Sequence, residues 1–201
     1  MKRLAIAFSI VVFAAALAPQ ALEAGVGIKG GYSLSKFAQI PAPDPGWDNS
    51  HFYVGGLSFG FGLGFVSFEP EILYVRMGGK MADVLELRFQ YIQVPVQIRL
   101  SIVPAGPVRP FISVGAYGSY LIKAEGLMTV GETTETTLLT ADYQRYDYGA
   151  VGGAGLRFKL PGVSLSVEGR YNYGLKNIMK DPAAGESMKN RCLMALVGIG
   201  F

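Results

Sequence analysis

The sequence predicts an all-β fold, an eight-stranded antiparallel up-and-down transmembrane β-barrel. Three observations lead there: long stretches alternate with period two, charge is scarce while glycine and aromatics abound, and tight turns alternate with long polar connections. Of 201 residues, half are hydrophobic and 16% are charged, against about 25% charged in an ordinary soluble domain. Twenty-seven glycines and 12% aromatic residues suit strands better than helices. Mean hydropathy is +0.31.

Residues 1–24 come first. Lys2 and Arg3 precede an apolar run from Leu4 to Ala18, and small residues end at Ala24, the layout of a cleaved secretory signal peptide. The run is too short for a spanning helix, which needs roughly 20 apolar residues. Cleavage after Ala24 is expected, with Ala21 as an alternative, and leaves residues 25–201 as one outer-membrane barrel domain. Without the leader's Lys2, Arg3 and Glu23 the net charge falls from +3 to +2. No polybasic footprint exists, so nucleic acid is not an expected partner.

Eight strands follow. The first, near 26–35, sets Val26, Ile28, Tyr32 and Leu34 against Lys29, Gly31 and Ser33. The second, 51–61, belongs to an uncharged window whose five glycines would each cost a helix about 1 kcal/mol. In the third, 65–77, Val66, Phe68, Ile72 and Tyr74 oppose Ser67, Glu69 and Glu71. The fourth begins near Val84 and the fifth ends near Ile122, joined by a Pro/Gly turn at 103–107. Ile92, Val94, Val96, Ile98 and Leu100 share one face with Gln93, Gln97 and Arg99 opposite; Ile112, Val114, Ala116, Tyr120 and Ile122 oppose Arg109, Ser113, Gly115, Ser119 and Lys123. The sixth is 143–159, the seventh 163–175 and the eighth 191–201. Leu193, Ala195, Val197, Ile199 and Phe201 lie on one face of the last.

The turns at 62–64, 103–107 and 160–162 are tight, whereas 36–50, 126–142 and 176–190 are long and polar; the link at 78–83 is the shortest of the second set. In an outer-membrane barrel the short turns are periplasmic and the long loops extracellular. One stretch resists: Leu85, Leu87, Phe89 and Tyr91 alternate out of phase with Ile92–Leu100. Either a β-bulge or a segment standing above the membrane accounts for it, and the second is preferred because an outer loop adjoins.

PEILYVRMGGK (70–80), YIQVPVQIRL (91–100), VRPFISVGAYGSYL (108–121), DYGAVGGAGLRF (147–158) and LSVEGRYNYGLKNI (165–178) follow one another in this order. Together they resemble the outer-membrane protein β-barrel domain family, the PorT-like small barrels of Gram-negative bacteria. The resemblance implies a location in outer-membrane lipid and no shared catalytic constellation. It implies too that the terminal Phe201 acts as the C-terminal signal read by the barrel-insertion machinery. A secretion or envelope-assembly role is implied by analogy with some members.

The residues themselves carry little catalytic chemistry. Gly25 to Gly30 matches GxGxxG, but no strand precedes it and no helix follows, so nucleotide binding is not expected. The single cysteine, Cys192, and single histidine, His51, exclude a disulfide within the chain and a His-rich metal site. No cofactor is expected. Ser50 and Ser58 lie near His51 in sequence, which keeps a lipid-modifying hydrolase as a minor alternative.

The lumen-facing set is richer. Lys29, Glu69, Glu71, Arg99, Arg109, Arg157, Glu168 and Arg170 form the expected structural polar network, with Gln93, Gln97 and Asp147 on the same phase. An eight-stranded barrel is just wide enough for side chains to fill, and buried charges must pair. Glu69, Glu71 and Glu168 are therefore expected to pair with Arg99, Arg157 and Arg170; a narrow conduit or an active site remain alternatives. Tyr32, Tyr53, Tyr74, Tyr146, Tyr148, Tyr171 and Tyr173 fit an outer aromatic girdle, and Phe65, Phe68, Phe111, Phe158 and Phe201 a periplasmic one. Envelope or extracellular protein partners would meet the loops, where Pro41, Pro43, Pro45 and Trp47 and the run GETTETT (131–137) lie. The expected role is a membrane-anchored surface-interaction barrel with a plugged lumen, not an enzyme. A passive channel and a soluble periplasmic lipid-binding barrel are the other classes.

Overall fold

The computed structural model describes residues 23–40, 47–81, 84–103, 106–130 and 133–201. Most of the predicted leader lies outside the described residues, as do Pro41, Pro43, Pro45, Gly131 and Glu132. Glu23 and Ala24 open the first strand.

The strands are β1 (Glu23–Ile40), β2 (Trp47–Leu63), β3 (Val66–Met81), β4 (Leu85–Ser101), β5 (Val108–Val130), β6 (Thr133–Leu138), β7 (Tyr146–Leu160), β8 (Val163–Gly174) and β9 (Ser187–Gly200). Each barrel strand pairs antiparallel with its neighbours in the order β4-β3-β2-β1-β9-β8-β7-β5, and β4 pairs with β5 to close the ring. Closure leaves no unpaired edge, which a membrane wall requires. Eight strands thus form the barrel. The ninth, β6, folds back onto the end of β5 (Glu125↔Leu138 to Val130↔Thr133), inside what the sequence predicts as a loop.

The register fixes the shape. From Ala24 it runs through Phe61, Phe68, Ile98, Val114, Gly152, Tyr171 and Leu193 and returns to β1 at Leu34. That stagger is ten residues, 34 − 24. With ordinary strand spacings it gives a tilt of about 40°. At that tilt the outward run Ile92–Leu100 spans roughly 20–25 Å, the height of the apolar band of a membrane barrel. Three tight turns close on left-handed glycines, Gly64, Gly106 and Gly162 (φ 63°, 104° and 77°). Gly115 is required for another reason: a Cβ there would lie 2.0 Å from the Val96 carbonyl oxygen.

The alternation is as the sequence predicts at membrane level. Ile92, Val94, Val96, Ile98 and Leu100 are exposed, and Gln93, Gln97 and Arg99 are buried. Above Ile92 the two faces exchange character. Leu87, Phe89 and Tyr91 are buried in the same phase as Gln93, so β4 keeps its facing without a break. Outward now are Glu86, Arg88 and Gln90. The preferred reading, a segment above the membrane, matches this arrangement; a bulge exists as well, but in β5. Gln90 pairs with Lys123 and Tyr91 with Leu121, leaving Ile122 as the extra residue. The bulge turns Lys123 outward to Glu125, 2.7 Å away, which corrects its expected place on the lumen phase.

The strands also outrun the predicted ones. β1 reaches Ile40, β2 starts at Trp47, and β9 starts at Ser187. Apolar side chains above the membrane explain the extra length: Phe37, Trp47, Phe89, Leu121, Ala124 and Met188 form a buried cluster there. Phe37 meets Trp47 and Phe89 edge-on at 5.0 and 5.4 Å. The predicted sixth strand begins three residues late, at Tyr146, and Tyr143 instead makes an isolated bridge to Met179. Beyond β8 the connection is only partly polar loop, since Ile178 is fully buried in the same cluster and its N–H donates to the Met188 carbonyl at 2.9 Å.

Candidate functional site

At membrane level the inward positions of β1, β3, β4, β7 and β8 bring together residues far apart in sequence. Period-two alternation and the register do this, because Lys29, Glu69, Glu71, Arg99, Arg157, Glu168 and Arg170 all lie on lumen-facing phases. Arg170 is the centre. Its Nη1 and Nη2 donate to the two oxygens of Glu71 at 2.6 and 2.9 Å, and its Nε donates to Glu168 at 2.8 Å. Arg99 reaches Glu69 at 2.8 Å and Glu168 at 3.2 Å. Arg157 pairs with Glu69. Lys29 pairs with Glu71, and with Glu168 at 3.2 Å.

The three expected carboxylates therefore meet the three expected arginines, with Lys29 binding across them. Forked, charge-assisted contacts of this kind are the strongest polar contacts available in a low-dielectric interior. Arg109 does not join. It is on the lumen phase but at the mouth, directly after the turn, and its Nε donates to the Gly106 carbonyl at 3.3 Å. Phe111 is likewise corrected: it is 2% exposed and lies inside, 3.8 Å beneath the Arg99 guanidinium, instead of in the periplasmic girdle. Phe65, Phe68 and Phe201 are exposed there as expected, and Tyr32, Tyr53, Tyr146, Tyr148, Tyr171 and Tyr173 are exposed on the outer side.

Above the charges lies a tier of amides and hydroxyls. Asn172 donates to Gln93 at 2.8 Å, and Gln93 to Ser119 at 3.1 Å. Asn190 donates to Asp147 at 2.9 Å and to the Tyr91 hydroxyl at 3.3 Å. Asp147 thus sits in the interior as expected, held by neutral donors. Ser33 and Ser35 donate across β2 to the backbone carbonyls of Arg76 and Gly78, both at 3.1 Å. Sequence reasoning placed Ser33 inward but did not find this role. The pairing of β2 with β3 shifts between Asn49 and Val54, and the two serines bond β3 at that irregularity.

Among the described residues no Ser/His machinery is assembled. Ser50 is buried inward, while His51 is exposed on the opposite phase with its ring 5.7 Å from that of Tyr32. Cys192 is buried on the lumen phase. Among the described residues no group of three His, Cys, Asp or Glu is arranged to hold a metal ion.

Comparison with known proteins gives one family match and many structural ones. The sequence profile described as outer membrane protein beta-barrel domain matches residues 15–180. No curated protein sequence matches the chain. Among solved structures, Neisserial surface protein A is similar at 15% identity and a TM-score of 0.52, over 87% of this chain and 95% of that one. The attachment invasion locus protein of Yersinia pestis is 18% identical at a TM-score of 0.46, over 89% and 99%. OprG of Pseudomonas aeruginosa is 11% identical at 0.49, over 90% and 98%. At these identities only the fold is compared, and the first of the three carries that comparison.

Proposed function

This chain belongs to the outer membrane protein β-barrel domain family, and from that premise we propose that it is a membrane-anchored surface-interaction barrel with a plugged lumen. The supporting observation is the interior itself. Four cations and three carboxylates bridge β1, β3, β4, β7 and β8, and the apolar tier lies between them and the extracellular end. The side chains of that tier are mostly apolar, which disfavours passage of water and solutes. The chain is exported by its leader, residues 1–24, and its insertion is directed by the terminal strand ending in Phe201. It works as a scaffold and not as an enzyme.

The surface offered to an envelope or extracellular protein partner is the part that stands beyond the apolar band. There β4 and β5 run on past the bulge, and β6 extends their sheet. All six residues of β6 are exposed, and among the described strands it pairs with β5 alone. An unpaired edge of this kind is a template for an added strand.

Two measurements test the proposal. Purified protein in planar bilayers or swelling liposomes is expected to pass no ions or small sugars; steady conductance would return the passive-channel reading. Photo-crosslinkers at Thr134 and Thr136 are expected to capture an envelope or extracellular protein that crosslinkers at outward membrane positions such as Val96 do not. Equal labelling from both sets would remove the surface-interaction role.

A further inference from the structure

The periplasmic mouth holds a cavity of about 440 Å³, whose lining includes Lys29, Glu69, Arg99, Arg157, Ser58 and Ser166. Its volume lies in the range of small-molecule sites. Between it and the apolar tier stands the ion-pair network, so it opens towards the periplasm and ends blind.

The charge in this network does not balance. Among the described side chains Lys29, Arg99, Arg157 and Arg170 bring four positive charges to three carboxylates, leaving one in excess. The other interior carboxylate among the described residues, Asp147, does not supply it. Asp147 lies six residues along β7 from Gly153, the partner of Arg170, and is held by Asn190 and Tyr117. Glu69, already counted, is shared between two of the arginines. One oxygen accepts from Arg157 and Ser67, and the other faces Arg99.

Three of the four cations, Lys29, Arg99 and Arg157, line the cavity. Arg99 is 1% exposed, yet its Nε has no hydrogen-bond partner among the described residues. That Nε is itself enclosed, so Arg99 adds positive charge behind the cavity wall and not an open donor. Arg157, beside it, is the part-exposed member of the network, with a quarter of its side chain open. Hydroxyls of Ser58 and Ser166 face the same space. Ser166 lies so close to Gly198 that a Cβ on the glycine would come within 2.7 Å of its oxygen.

From these observations we infer that the periplasmic mouth is a binding site for a phosphate-class oxyanion. Guanidinium groups bind its oxygens in a fork, and serine hydroxyls complete a tetrahedral group's contacts. The oxyanion comes either from free periplasmic phosphate compounds or from the headgroup of an inner-leaflet phospholipid at the rim. The inference does not depend on what the extracellular side binds, nor on the absence of conductance.

The test is calorimetric titration of the full-length folded protein with inorganic phosphate in a chloride buffer, in detergent and in phosphatidylcholine nanodiscs. Saturable one-site binding is expected, at least tenfold weaker in Arg157→Gln and unchanged in Arg88→Gln on the outer face. Should Arg157→Gln fail to fold, Ser166→Leu narrows the cavity without removing a charged group and is expected to weaken binding as much. Loss of phosphate binding on moving from a phosphate-free detergent to phospholipid nanodiscs identifies the lipid headgroup as the source; equal binding in detergent and nanodiscs identifies the free compound. No saturable binding in phosphate-free detergent overturns the site. So does binding that is unchanged in folded Arg157→Gln or Ser166→Leu.

Discussion

The membrane-level half of this barrel and the half above it are made by the same strands, yet they are built inside out relative to each other. Below Ile92, β4 turns Ile98, Val96 and Val94 outward and Arg99, Gln97 and Gln93 inward. Above it, Tyr91, Phe89 and Leu87 are buried while Glu86, Arg88 and Gln90 face out. The backbone does not change phase on β4; the surroundings change. In lipid an outward apolar side chain is at ease and the narrow lumen takes the polar groups. In water the ordinary rule returns and apolar side chains go inside. What holds the two halves therefore differs: charge pairing below, aromatic packing above.

The largest expected effects remove one support from each half. Arg170→Ala strands Glu71 and Glu168 without their main partner, and breaking a buried pair costs about 3–5 kcal/mol. Urea unfolding in detergent, followed by heat-modifiable gel migration, is expected to show that loss; an unchanged midpoint would mean the network contributes nothing. Phe89→Ala opens the aromatic tier and is expected to cost a similar amount, about 3–5 kcal/mol. Protease sensitivity should then rise in the extension first, whereas Arg170→Ala should loosen the membrane-level strands.

Next in size is a swap of outward character. Val96→Arg places a charge against lipid near the middle of the apolar band and is expected to cost about 2–4 kcal/mol. Gln90→Arg, only six residues along the same face, should cost close to nothing in the same unfolding assay. Equal costs would contradict the change of surroundings between them. Smallest is Lys123→Ala, which removes an exposed partner of Glu125 and is expected to shift stability by less than about 1 kcal/mol.

Much of the membrane-level half was legible in the sequence, because lipid enforces strict alternation and each strand can be read alone. Glu69, Glu71 and Glu168 could be matched to Arg99, Arg157 and Arg170 once the lumen phase was known. Arg109 and Phe111 were misplaced for opposite reasons. Phase tells which way a side chain points, not how far up the barrel it lies, so Arg109 at the mouth looked like a network member. Aromatic type suggested a girdle for Phe111, although its own phase, shared with Ser113, already put it inside. The upper half was harder. The bulge at Ile122 reverses the phase of β5 without any proline or glycine to mark it. β6 and the burial of Ile178 depend on packing between segments far apart in the chain. The signal that could have found the aromatic tier was present, since Phe37 continues the phase of Lys29, Ser33 and Ser35.

The most direct test of this two-sided account follows the outward face of β4 with single spin labels. Cysteines replace Glu86, Arg88, Gln90, Ile92, Val94, Val96 and Ile98 one at a time in a Cys192→Ser background. In lipid bilayers, oxygen is expected to collide preferentially with labels at 94, 96 and 98, and a water-soluble nickel chelate with labels at 86, 88 and 90, with the crossover at 92. Oxygen preference persisting to position 86, or chelate access along the whole strand, would contradict the inversion.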